Sequence, residues 1–204
     1  MEIIPLTPTN HTQAIRKATA VLNAGGLVIY PTETCYGIGA DAANQTAVNA
    51  LLQYKTKRQD KPMSVAVTGK HMAKKFVHIN KVAENIYDNF LPGPITVVSK
   101  GKGKFARGVE SSHGTQGVRV SSHPFVRDLL THYKKPITAT SANASYKKTP
   151  YTIEDILNNI SAKQKSLVGL IIDAGRLPKR KPSTVVDTTL DSIHIVREGS
   201  MKLQ

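Results

Sequence analysis

The segment Leu27-Val28-Ile29-Tyr30-Pro31-Thr32-Glu33-Thr34-Cys35-Tyr36-Gly37-Ile38-Gly39 opens the stretch, from Leu27 to Val67, around which the chain is organised. Leu27 to Tyr30 reads as a short buried strand, and Pro31 stops it at a run of hydroxyls. Tyr36 to Gly39 reads as a glycine turn. Ala47, Ala50, Leu51 and Tyr54 then recur at helical spacing from Asn44 or Gln45, and Met63 to Val67 returns as a strand. Strand, helix, strand is the unit of an α/β domain. The helix runs into Lys55-Thr56-Lys57-Arg58-Gln59-Asp60-Lys61-Pro62, which holds four cations within seven residues. Beside a strand end rich in hydroxyls, they suggest a pocket for something small and anionic. The alternative is a set of solvated lysines that complement the helix dipole.

The flanks repeat the unit. Glu2 to Leu6 reads as an edge strand, because Pro5 cannot donate to a central ladder. Thr12 is placed to cap a helix from Gln13 to Asn23, which Gly25-Gly26 ends. Asn80 caps a helix to Phe90, broken by Pro92-Gly93-Pro94, and Ile95 to Ser99 is a strand. A Gly/Lys loop follows from Lys100 to Gly108. Gly117 to Val120 reads as a strand, Pro124 to His132 as a helix and Pro136 to Thr140 as a strand. Thr152 caps a helix with Asp155 at its third position. Leu167 to Ile172, Thr184 to Asp187 and Ile193 to Val196 are the last strands. Some connections are too short for parallel crossovers, so the expected fold is α/β with a twisted, mixed, open sheet flanked by helices, in one domain over residues 1–204.

Composition narrows the function. Aromatics are 5% of 204 residues with no Trp, so Val, Ile, Leu and Ala are expected to fill the core. A single cysteine, Cys35, excludes an internal disulfide and fits a reducing, cytoplasmic compartment. Neither a charged-then-apolar leader nor eighteen consecutive apolar residues is present, so no membrane association is expected. Lys and Arg number 28 against 14 Asp and Glu, a formal charge of +14. Such a field attracts nucleotide phosphates or RNA, or it serves only solubility.

The polar clusters fall just after strands, where open α/β sheets place their ligands. The hydroxyls of Thr32 and Thr34 either bond their own turn or face a ligand. Thr138-Ala139-Thr140-Ser141-Ala142-Asn143 runs a strand into small donors that let a ligand approach the backbone. Arg119, on the otherwise apolar Gly117-Val118-Arg119-Val120, is either in a structural ion pair or holding a carboxylate. Glycine-rich phosphate fingerprints are absent, the seven histidines lack metal-ligand spacing, and Cys35 reads as a buried inert thiol. From the residues alone, the reading ends at an α/β protein for a small anionic ligand.

Taken together, six motifs carry a resemblance. Tyr30-Pro31-Thr32-Glu33-Thr34-Cys35-Tyr36-Gly37-Ile38-Gly39, Pro92-Gly93-Pro94-Ile95-Thr96, Gly117-Val118-Arg119-Val120, Thr140-Ser141-Ala142-Asn143, Ser183-Thr184-Val185-Val186-Asp187 and Val196-Arg197-Glu198-Gly199 stand in one order. In that order the chain resembles the threonylcarbamoyl-AMP synthases of the YrdC-like fold, in their short form. The resemblance implies a large basic cleft and a reaction of L-threonine, bicarbonate and ATP, with Mg2+, to threonylcarbamoyl-adenylate and pyrophosphate. It implies as partners a downstream threonylcarbamoyl transferase complex and tRNA. Binding of tRNA or double-stranded RNA without synthase activity is the alternative.

Carried over by residue, the resemblance places Thr34 against threonine with Thr32 close by, Arg119 on its carboxylate, and Ser183 and the Ala139 backbone completing that subsite. Lys55, Lys57, Arg58 and Lys61 would hold the triphosphate, with Ser141 and Asn143 completing a Lys-Arg-Ser-Asn set. Thr115, Thr149 and Arg197 would line the nucleotide side, and no protein side chain is expected to ligate a metal. The family's Lys-x-Arg reads here as Lys55-Thr56-Lys57, with Arg58 one place late, and Ala66 stands where one branch has a histidine.

Overall fold

A computed structural model describes residues 1–56, 62–145 and 147–202; the expected phosphate ligands Lys57, Arg58 and Lys61 lie outside the described residues. The first half holds β1 (Glu2–Pro5), α1 (His11–Asn23), β2 (Leu27–Pro31), β3 (Tyr36–Gly39), α2 (Gln45–Lys55), β4 (Val65–Ala66), α3 (Lys70–Ala73) and α4 (Lys81–Phe90). Next come β5 (Ile95–Lys100), β6 (Thr115–Arg119), α5 (Pro124–Tyr133), β7 (Ile137–Thr138) and β8 (Thr140–Ser141). The chain closes with α6 (Ile153–Leu157), α7 (Ala162–Leu167), β9 (Val168–Asp173), β10 (Thr184–Asp187) and β11 (His194–Arg197).

The architecture is mixed α/β as expected, with the strands divided between two mixed sheets. One runs β1-β9-β2-β3-β8 and the other β11-β10-β5-β6-β4-β7. Pro5 lies on β1, at the edge of the first sheet, where its missing N–H costs no ladder bond. The segment from Pro136 to Thr140, expected as one strand, is the seam. Ile137 and Thr138 pair with β4 in one sheet, and Thr140 and Ser141 pair with β3 in the other. Ala139 is the residue at which the chain changes sheets.

Tyr36 to Gly39 is a strand rather than a glycine turn. It pairs antiparallel with β2, Val28 opposite Gly39 and Tyr30 opposite Gly37, and the turn of the hairpin is Thr32–Cys35. The glycines are there because the Tyr30 ring lies across them. A Cβ on Gly39 would stand 2.9 Å from Tyr30 Cε1, and one on Gly37 would stand 3.2 Å from Tyr30 Cε2.

Alternation along β2 feeds two cores. Val28 and Tyr30 pack with α1 and α5 through Ile15, Leu22, Phe125 and Leu129. Leu27 and Ile29 face the larger cluster with Val48, Leu51 and Tyr54 of α2. Tyr30, Tyr36 and Tyr54 are among the largest fully buried side chains, so tyrosine shares the core with the aliphatics. Each buried hydroxyl finds a main-chain acceptor: Thr138 O at 3.3 Å, Gly175 O at 2.7 Å and Ala142 O at 2.6 Å, respectively. Those bonds tie three core tyrosines to β7, to the residue after β8 and to the loop after β9.

Other boundaries differ for local reasons. Helix α1 begins at His11, and Thr12 lies inside it; Asn10, at the cap position, spends its side chain on Thr7 N and Pro5 O. The strand expected from Gly117 begins at Thr115 and ends at Arg119. Asn80 and Thr152 cap α4 and α6 as expected, and Asp155 completes a capping box; α2 begins at Gln45, the second of its two expected starts, with Asn44 as its cap. Among the described residues, no helix is long and apolar enough to cross a membrane.

Candidate functional site

The ends of strands from both sheets converge beside the seam, and two adjoining hollows lie there. Both are lined by Thr34, Cys35, Arg119, Ala139, Thr140 and Ser141. The inner hollow is closed by Tyr30, Gly37, Ala66, Ser121 and Val126, with Thr32 at its wall. The outer one continues past Pro62, Ser64, Thr96, Pro182, Ser183 and Arg197. Residues up to 163 apart in sequence, Thr34 and Arg197, thus face one space.

The hairpin turn shapes one wall. Thr32 Oγ1 donates to Cys35 O at 2.7 Å and accepts from Thr34 N at 3.1 Å and Cys35 N at 3.2 Å. Its hydroxyl is therefore used by the turn itself, as an ST-motif does. Thr34 is left buried against both hollows, its hydroxyl 3.1 Å from Thr32 Oγ1. Of the two threonines, Thr34 lines both hollows, while Thr32 lines the inner one and spends its hydroxyl on the turn.

Arg119 takes the first of its two expected roles, the structural ion pair. Its Nη2 pairs with Glu33 Oε1, and the guanidinium also lines both hollows. The other Glu33 oxygen accepts from Ser121 Oγ. Glu33 lines neither hollow, so the carboxylate stands behind the arginine. Across the outer hollow, Arg197 Nη2 donates to Ser183 O at 2.8 Å and to Ser183 Oγ at 3.1 Å, and Thr96 Oγ1 is 3.1 Å from the same hydroxyl. Burial first, and the Arg119 charge second, push the Arg197 guanidinium below its usual value. Two cations thus share one space lined by hydroxyls and by none of the described Asp, Glu or His residues.

Of the Ser141-Ala142-Asn143 element, Ser141 lines both hollows, whereas Asn143, like Lys55, lines neither. Ser141 Oγ donates to Asn143 Oδ1 at 2.5 Å, and Asn143 Nδ2 donates to Lys147 O. Lys55, at the end of α2 and 4% exposed, donates to Ser141 O at 2.9 Å and to Asn143 O at 2.6 Å. The lysine expected on a triphosphate therefore holds the backbone of that element. The Ala139 N–H is bonded to Ser64 O at 2.7 Å, which fixes the crossing between sheets.

Two expected nucleotide residues stand elsewhere. Thr115 begins β6, at the opposite end from Arg119, and its hydroxyl is 2.7 Å from Ser111 Oγ. Thr149 is exposed and lines neither hollow. Ser64, Thr96, Cys35 and Ser121 line the space without having been singled out as ligand contacts. Thr96 and Ser121 follow strand motifs that carry a signal; Ser64, in a short strand return, carries none. Burial raises the Cys35 thiol above its ordinary value, with the Arg119 charge acting the other way. Among the described residues, no three His, Cys, Asp or Glu side chains cluster as metal ligands. The wall chemistry is that of an anion or carboxylate cradle with neutral donors, and among the described residues it offers no nucleophile with an adjacent base.

The comparisons with known proteins agree with this fold. Residues 20–199 match the Sua5/YciO/YrdC family model, described as telomere recombination. A Methanocaldococcus jannaschii protein with a provisional assignment as threonylcarbamoyl-AMP synthase is 36% identical over 90% of this chain and 84% of its own length. The Bos taurus threonylcarbamoyl-AMP synthase is 30% identical over 92% of this chain and 68% of its own. The crystal structure of Pyrococcus abyssi Sua5 in complex with L-threonine superposes with a TM-score of 0.89 at 29% identity, covering 98% of this chain and 58% of Sua5. This chain therefore spans under six-tenths of that Sua5. By the match of its sequence from residue 20 to 199, the chain belongs to the Sua5/YciO/YrdC family.

Proposed function

We propose that this chain is a threonylcarbamoyl-AMP synthase. The observation that carries the reading is the convergence of Thr34, Arg119, Ser141 and Ser183 on one space that none of the described carboxylates lines. Relatives named for that activity, and a threonine-bound Sua5 of the same fold, support it. In the reaction, the threonine amine takes up CO2 from bicarbonate as a carbamate. A carbamate oxygen forms a bond to the α-phosphorus of ATP, the α–β phosphoanhydride bond breaks, and pyrophosphate leaves.

Arg119 pairs with the threonine carboxylate, while Thr34 and Ser183 orient its polar atoms. Arg197, joined to Ser183, extends the cationic wall towards the phosphates. Lys57, Arg58 and Lys61 hold the triphosphate on sequence grounds, completing a basic cleft. Lys55 and the Ser141–Asn143 hydrogen bond keep the loop between them in shape. Mg2+ enters with ATP and offsets charge on the phosphoryl oxygens. Positioning does most of the remaining work, since no protein group need exchange a proton with the attacking oxygen.

The test incubates the protein with ATP, labelled bicarbonate and threonine and follows pyrophosphate. Release that requires threonine and bicarbonate is expected; none above an Arg119→Ala control overturns the reading. The labile adenylate would then pass to a separate threonylcarbamoyl transferase acting on tRNA.

A second reading rests on a different observation. Lys147, Lys148, Arg176, Lys179, Arg180 and Lys181 are exposed on two loops joined by Tyr151 OH donating to Arg180 O. Such a patch suits tRNA or double-stranded RNA. RNA binding that falls steeply with salt, without threonine-dependent turnover, would favour it.

A further inference from the structure

Among the described residues, Glu33 is the carboxylate paired with Arg119 on the cationic side of the hollow, and the reaction just proposed gives it no part. Its side chain is 7% exposed and that of Arg119 is 14%. One oxygen takes Arg119 Nη2 and the other takes Ser121 Oγ, so both are engaged away from the cavity. Arg119 and Ser121 line the inner hollow and Glu33 does not. Ser121 Oγ in turn accepts from His123 N at 3.2 Å, which anchors the far side of the arrangement to the start of α5. Meanwhile Arg119 and Arg197 stand close enough for the first to lower the proton affinity of the second. Two like charges in a partly dry space push apart unless a fixed counter-charge holds one of them.

From this arrangement we infer that Glu33 is a positioning residue for threonine recognition: it sets the plane of the Arg119 guanidinium and holds it against repulsion from Arg197. A guanidinium carries five donors in a rigid fork. With Nη2 committed to Glu33, the orientation of the remaining donors towards the hollow is fixed before a ligand arrives. The carboxylate that this fork receives in the threonine complex completes the charge balance that Glu33 begins. The inference rests on the proposed function for the identity of the ligand, and on geometry alone for the role of the pair.

The experiment compares wild type, Glu33→Gln and Glu33→Asp by steady-state pyrophosphate release. Glutamine keeps the size but cannot accept from both Arg119 and Ser121 without presenting its NH2 group to one of them. The expected result is a threonine KM raised by about tenfold or more, an ATP KM changed by less than about threefold, and kcat within about threefold of wild type. Aspartate, which keeps the charge, should recover most of the lost threonine affinity. Because KM does not depend on the fraction of active enzyme, partial misfolding of a variant does not blur the comparison. A threonine KM unchanged in Glu33→Gln, an equal rise for ATP, or Asp no better than Gln would overturn the inference. If wild type releases no pyrophosphate, the activity is what fails, and calorimetric threonine binding by the same three proteins decides the role of Glu33. There, the order wild type, Asp, Gln in falling affinity supports it, and equal affinities or no binding at all overturn it.

Discussion

Lys55 Nζ lies 2.6 Å from the main-chain oxygen of Asn143, and it donates to that atom as well as to Ser141 O at 2.9 Å. A buried ammonium has thus been spent on the backbone of the Ser-Ala-Asn element, and the end of α2 is fastened to the seam between the two sheets. Carbonyl oxygens stabilise the charged lysine in place of water, and the lysine in turn fixes where Ser141 points.

Lys55→Met should therefore damage structure and activity together. It keeps most of the stem volume but removes a charged donor from two half-buried carbonyls. Hydrogen bonds to a charged group contribute roughly 1.5–3 kcal/mol, which for a chain of this size is a fall of about 3–12 °C in Tm. Thermal melts with and without threonine plus ATP check this. A Tm within 1 °C or so of wild type, with turnover abolished, would instead assign Lys55 wholly to the substrate.

Arg119→Ala separates the two substrates. A charge-assisted carboxylate pair contributes roughly 1.5–3 kcal/mol, about ten- to a hundredfold in affinity. Threonine binding should weaken by that factor and ATP binding far less, as read by calorimetry with each ligand alone. The variant also leaves Glu33 buried without its cation, so a lower Tm accompanies the loss. Equal weakening for both ligands would place the arginine wrongly.

How far the sequence discloses this site depends on the kind of signal each residue leaves. Arg119 stood out because a lone cation on an apolar strand demands a partner, and the structure supplies Glu33. Asn80 and Thr152 were legible as caps because capping is local. The division into two sheets was not, since Pro136 to Thr140 carries one strand pattern while its neighbours β4 and β3 lie far away in sequence. Tyr36 to Gly39 misled for a related reason. Its glycines answer to a tyrosine ring on the opposite strand, and periodicity cannot reveal a partner across a hairpin. The short helices α3 and α7 carry mostly polar sequence, and for α7 the only local sign was the Ser161–Gln164 capping box. Thr115 and Thr149 came with the resemblance alone, and neither lies at the hollow.

The Tyr30–Gly39 contact gives a stability test away from the chemistry. In Gly39→Ala the new methyl would stand 2.9 Å from Tyr30 Cε1 and 3.2 Å from Thr138 O, so the ring or the seam must shift. Overpacking of this kind costs about 1–3 kcal/mol. Urea unfolding should show a lower midpoint with an unchanged m-value. A variant as stable as wild type would mean that the Tyr30 ring has room to turn.

His123 makes the last prediction, one of pH dependence. It sits at the start of α5, its backbone N–H on Ser121 Oγ, and its Nδ1 is buried without a partner. Burial lowers its pKa below 6.5; Glu33 opposes that shift and His11 adds to it. A folded pKa below the unfolded one means that the unfolded chain takes up the proton more readily. Stability tied to this group is therefore fully present above about 6.5 and declines as pH falls through 6.5 towards the folded value. His123→Asn removes the titration but keeps a side chain of similar polarity, so its stability should fall less between pH 7.5 and 5.5 than that of wild type. Urea midpoints for the two proteins at the two pH values measure the difference directly, because the other groups titrate alike in both. Equal declines would show that His123 is as easily protonated in the folded chain as in the unfolded one, despite its place against the Glu33 bracket.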